Sequence, residues 1–171
     1  VPPWRVTAAV PEALLERTAG AFAIAGGTIL LAIAALTGID VLLRLADLIA
    51  PGRLGIVKGY EDLVRLLVSA AVPLLFPWCQ LRRGHVAVDL VAERLPAAAR
   101  RVLEGAGTAA TAAVALFLAF WMVQGLLETR ADGRIAGVLG WPEWPFYLPG
   151  LLALLLWAVI AADQLRTGRR A

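Results

Sequence analysis

One cysteine, one histidine and one methionine leave this chain little material for redox or metal chemistry. A lone Cys79 excludes an internal disulfide framework and a multi-cysteine zinc site. It falls near the end of an apolar run, where a small buried filler is the expected role. A lone His85 leaves no Ser-His-Asp set, and the sequence offers no phosphate loop and no paired catalytic carboxylates, so it does not read as an enzyme. Charge is also scarce, at 17% of residues against 60% hydrophobic. A soluble domain of 171 residues cannot hide that much apolar surface, whereas a bilayer removes the need. The net charge of +3 does not point to nucleic acid, because the arginines lie between apolar runs rather than along one solvated face.

What is present is four long uncharged runs. Thr18 to Ile39 has 22 residues, Gly105 to Leu127 has 23 and Trp144 to Ala162 has 19. Leu66 to Leu81 has 16, or 19 when counted from Leu63 across Arg65. About 20 helical residues cross a hydrocarbon core of about 30 Å. The expected fold is therefore an all-α integral membrane protein, one domain over 1–171. Its helices are expected at about 18–43, 62–81, 97–127 and 144–165. With the N-terminus inside, ten of the sixteen Lys/Arg residues fall in inside segments and five in outside loops. The positive-inside rule then favours N-in, C-in. The first run is too long for a signal-peptide core and lacks a clear small-x-small cleavage site before Asp40, so it reads as a retained helix.

The aromatic residues agree with that layout. Trp141, Trp144 and Tyr147 gather where the fourth helix begins, and Trp78 marks the inner end of the second, as membrane-interface anchors. Pro73 and Pro77 each remove a backbone donor from helix two, so a bend or a wet backbone is expected there. Alanine- and glycine-rich stretches in helices one and three suit close helix packing.

Ionisable groups at membrane depth are costly, which makes each one a candidate for function. Asp40 and Arg44 lie four apart at the outer end of helix one, and Glu61 and Arg65 four apart at the outer start of helix two. That spacing puts each pair on one helical face, within salt-bridge reach. The four are candidates for an inter-helix network or a subunit interface; an ion relay would need polar groups at several depths. The stretch LRRGHVAVDL follows helix two. His85 and Asp89 share one arc of a short amphipathic helix expected at about 85–95 on the cytoplasmic surface, with Arg82 and Arg83 available to the phosphates of membrane lipids. Gly84 offers a break before it. One His and one Asp do not complete a metal site.

The segment Tyr60 to Pro96, YEDLVRLLVSAAVPLLFPWCQLRRGHVAVDLVAERLP, resembles the small membrane subunit, DctQ, of tripartite ATP-independent periplasmic (TRAP) transporters. Arg44 matches that family's arginine closing helix one, and Glu61 and Arg65 its opening of helix two. Arg83, Gly84, His85 and Asp89 match its basic-Gly-His-x-x-x-Asp connector. The Gly-Trp-Pro-x-Trp sequence before the last helix also fits, whereas PLLFPWC departs from the small residues typical of helix two. The resemblance implies a non-catalytic small permease subunit in a bacterial inner membrane. It would scaffold a large elevator-type subunit (DctM-type) that works with a periplasmic binding protein on organic acids. Sodium ions would belong to that partner, and this chain would hold no cofactor. The alternatives are a membrane anchor for a redox enzyme, with His85 as a shared haem ligand, and a small stand-alone channel or transporter.

Overall fold

Long apolar runs with few breakers dictate helix throughout, and the computed structural model describes residues 11–49, 59–82 and 97–167. Helix α1 is Glu12–Ile49, α2 is Tyr60–Leu81, and α3 is Ala97–Ala131. A 3-10 turn, Trp144–Phe146, leads directly into α4, Tyr147–Thr167. All four helices are long and apolar enough to cross a membrane. The helix expected at 85–95 lies outside the described residues.

The helix ends follow local rules. Glu12 in α1 and Glu61 and Asp62 in α2 place negative charge against the positive end of the helix dipole. Arg130 complements the last turn of α3. Pro145 suits the first positions of the 3-10 turn, where its missing N–H costs nothing. At 38 residues, α1 outruns the apolar pattern at both ends. Its length of about 57 Å exceeds a hydrocarbon core of about 30 Å, so it continues beyond the apolar layer.

The spatial order of the helices differs from their order in the chain. Helix α2 packs against α1 on one side and α4 on the other, and α4 packs against α3. Among the described residues, α3 approaches neither α1 nor α2. The helices thus form an open row, 1-2-4-3, with α1 and α3 at its ends. Glu12 and Thr167 lie on one membrane face, here the terminal face; Ile49, Tyr60, Ala131 and Trp144 lie toward the other, the loop face.

Close approach holds the row together. A methyl built on Gly26 of α1 would stand 2.9 Å from the Ala71 carbonyl oxygen and 3.0 Å from Leu74 Cβ of α2. On the opposite side, a methyl on Gly150 of α4 would stand 3.2 Å from the Ser69 carbonyl oxygen. Pro73 explains that contact, since a proline leaves the carbonyl four residues earlier without its helical donor. Gly150 thus lies beside a carbonyl that lacks its helical donor. Two apolar clusters complete the contacts. Ala115, Ala119, Leu154, Trp157 and Ala158 join α3 to α4, with Phe76 of α2 packed alongside. Leu15, Ala19 and Ile160 join α1 to α4 near the terminal face, against Trp78 and Leu81. Cys79 is exposed, contrary to the buried role expected of it, because Pro77 and Gln80 take the inward positions of that turn.

Candidate functional site

The charged residues of α1 and α2 reach the loop face together but pair differently. Arg44 Nε donates to Asp40 Oδ2 at 2.7 Å, within one turn of α1. The Asp40 side chain is 3% exposed and that of Arg44 50%, so a buried carboxylate is tethered to a cation at the edge. Asp40 Oδ1 is buried and has no hydrogen-bond partner. Glu61 is exposed and acts on Arg44 through space, with no ion pair among the described residues. Tyr60 and Thr37 bring their hydroxyls to 3.5 Å across the α1–α2 seam.

Arg65 does not pair with Glu61 as their spacing suggested. It binds Glu143, 78 residues away, in the segment leading to α4. The physical reason is the partner's setting. The Glu143 side chain is 15% exposed and its backbone N–H is held by the Arg134 carbonyl, so the carboxylate is pre-placed and poorly hydrated. Glu61 faces water, which screens the same attraction.

That ion pair belongs to a built loop. Gly133 and Gly140 adopt positive φ, and Ala136 exchanges backbone bonds with Trp141 and Gly140. Asp62 Oδ2 accepts the Val138 N–H at 2.8 Å. Gly59, at φ 81°, lets Leu139 and Val138 close onto the start of α2, where a methyl would meet Leu139 at 3.1 Å. Segment 132–146 is thereby clipped to α2 by an ion pair, an acceptor and a glycine. Of the expected interface aromatics, Trp144 lies under the Arg130 guanidinium at 5.3 Å, Tyr147 packs on Gly125, and Trp141 is half exposed.

At the terminal face stands a network that the sequence reading missed. Gln80 Nε2 donates to Gln164 Oε1 at 2.7 Å, Gln164 Nε2 donates to the Gln80 carbonyl at 3.3 Å, and Trp157 Nε1 donates to Gln80 Oε1 at 3.3 Å. This amide clamp ties α2 to α4. Its signal was Gln80 at the end of one apolar run and Gln164 just beyond another, polar side chains that need partners near membrane depth. Nearby, the Arg82 guanidinium lies 4.7 Å above the Trp78 ring. Arg83, Gly84, His85 and Asp89 lie outside the described residues.

Between the two faces little is polar. Thr18, Thr28, Thr37, Ser69, Thr108 and Thr111 each return their hydroxyl hydrogen to a carbonyl of their own helix. The described residues therefore provide ties between helices and loops at both membrane faces, with no ladder of ionisable groups through the middle.

Four helices long and apolar enough to cross a membrane, tied to one another near both ends, define a multi-pass membrane protein. The chain matches, over residues 33–171, the family model described as tripartite ATP-independent periplasmic transporters, DctQ component. It belongs to that family. Comparisons with curated proteins and with solved structures find no match.

Proposed function

We propose that this chain is the non-catalytic small permease subunit of a sodium-coupled, binding-protein-dependent transporter for organic acids. It acts as a static scaffold for a large elevator-type membrane subunit, with both of its termini on the cytoplasmic side of a bacterial inner membrane. Membership of a transporter family supports the assembly. The observation that supports the scaffold role is the distribution of polar groups: ion pairs at one face, an amide clamp at the other, and self-satisfied hydroxyls between. A carrier that moves a hydrated or charged solute needs groups along its path to replace water. An elevator instead needs a stator that resists being dragged through lipid, and a broad row offers more drag than a compact bundle. The binding protein and the large subunit would supply the substrate site and the sodium ions.

Reconstitution tests this reading. Proteoliposomes holding this chain alone should show no organic-acid uptake under a sodium gradient. Those holding it with the large subunit and the binding protein should show uptake that is lost when this chain is left out. Flux from this chain alone, or full uptake without it, refutes the scaffold role.

A further inference from the structure

The loop between α3 and α4 carries its charges at its base and none at its tip. Asp132, Arg134 and Glu143 flank residues 135–142, the stretch IAGVLGWP, which has no charged, amide or hydroxyl side chain. A turn that projects into water is ordinarily built from Asn, Asp, Ser, Pro and Gly. Here Ile135 and Val138 are 60% and 65% exposed and Trp141 is half exposed, so the tip turns large apolar side chains outward.

The depth of that tip is fixed by the helix it is clipped to. Three contacts across the α1–α2 seam, Gly20 with Trp78, Gly26 with Ala71 and Thr37 with Tyr60, keep one antiparallel register. The register sets Gly59 level with Gly38 and Ile39, which close the uncharged run of α1. The tip meets α2 at that level. A methyl on Gly59 would stand 3.1 Å from Leu139 and 3.3 Å from Val138, and Asp62 accepts the Val138 N–H. Helix α1 continues to Ile49, about 15 Å further out. The loop therefore folds back to the edge of the hydrocarbon core instead of rising alongside the end of α1.

Its backbone suits that depth. The N–H groups of Ala136, Val138 and Gly140 donate to the Trp141 carbonyl, the Asp62 carboxylate and the Ala136 carbonyl. Where water is sparse, a non-helical segment needs such internal bonding.

We infer that residues 135–142 form an interfacial membrane element, with Ile135, Val138 and Trp141 immersed in the phospholipid of the loop-face leaflet. Amphipathic elements of this kind sink about 5–10 Å into the boundary between headgroups and acyl chains, and indole rings favour that layer. Phospholipid is the occupant because the tip lies at a depth where lipid already surrounds membrane-spanning helices. The base keeps its charges in pairs, Arg134 with Asp132 and Arg65 with Glu143. Segment 132–146 is clipped to α2 and runs into α4, so an anchor here fixes the depth at which α4 enters the bilayer. The inference needs only a membrane-spanning chain and stands apart from the scaffold reading.

Depth-dependent quenching tests it. The complex isolated from its membrane, carrying Val138→Cys in a Cys79→Ser background, is labelled with bimane and placed in vesicles of phosphatidylethanolamine and phosphatidylglycerol. Subtracting the signal of the Cys79→Ser parent removes label on a partner's cysteines. Most of the emission should be lost to lipids spin-labelled at the headgroup or high on the acyl chain, and little to iodide in the buffer. Quenching by iodide without quenching by lipid puts the tip in water and overturns the inference. Protection from both puts a protein over the tip and overturns it equally. Ile135→Cys carries the same test, with the same three outcomes, if Val138→Cys does not fold.

Discussion

Replacing Gly26 by alanine adds one methyl group at the tightest point of the α1–α2 seam. The new carbon would stand 2.9 Å from a backbone oxygen and 3.0 Å from Leu74 Cβ. Unstrained contacts of those kinds are about 3.3–3.6 Å for carbon to carbonyl oxygen and about 3.5–4.0 Å between carbons. Neither neighbour is the free end of a flexible side chain, so α1 must retreat by about half an ångström. Overpacking of this kind costs about 1–3 kcal/mol. Alanine also gains up to about 1 kcal/mol over glycine in helix propensity, which would mask part of the loss. The adjacent Gly27 supplies the control, since a methyl there meets nothing within 4 Å. Both variants share the propensity gain, so their difference isolates the clash. At about 2–4 °C per kcal/mol for a chain of this size, Gly26→Ala should melt several degrees below Gly27→Ala in a thermal scan in detergent. Coincident melting curves would refute the claim that close backbone approach sets this seam.

The ion pairs and the clamp give further expectations. Arg65→Ala and Glu143→Gln should each loosen segment 132–146, with a double-mutant coupling of up to about 1 kcal/mol that shrinks as salt rises; no coupling would mean the pair is ornamental. For α1 the two partners should behave unequally. Arg44→Met strands a buried carboxylate and should lower stability clearly, whereas Asp40→Leu strands only a half-exposed cation and should cost far less. Equal losses by chemical denaturation would contradict the burial described. Gln80→Leu deprives both Gln164 and Trp157 of a partner and should cost about 1–3 kcal/mol for each group left unpaired. Adding Gln164→Leu should recover part of the loss; a further loss in the double variant would show that the amides are not acting as a pair.

The sequence made the spans legible because a bilayer sets their length, and uncharged runs of that length have few other uses. It also made Asp40 and Arg44 legible as a pair, since both lie on one helix and its pitch alone brings them together. Arg65 followed a different rule. Its true partner is 78 residues away, on a loop whose shape depends on Gly133, Gly140 and the acceptor at Asp62, and spacing carries no trace of that. Gln80 and Gln164 are 84 residues apart and were hidden for the same reason. The order of the row was also concealed, because an apolar face suits lipid and a neighbouring helix equally well. Glycine contacts separate the two cases, but only once the helices are in place.

That order has a consequence for synthesis at the membrane. Helices α1 and α2 are consecutive in the chain and adjacent in the row, so they can pair as soon as both have left the ribosome. Helix α3 comes next, and among the described residues its backbone comes close to neither of them. Helix α4 then fills the gap, closing onto Ser69 with Gly150 and onto Ala115 with Trp157 and Ala158. The last helix made is the one that joins the two halves. A nascent chain stalled before Tyr147 would hold the α1–α2 hairpin and a third helix still without its α4 neighbour.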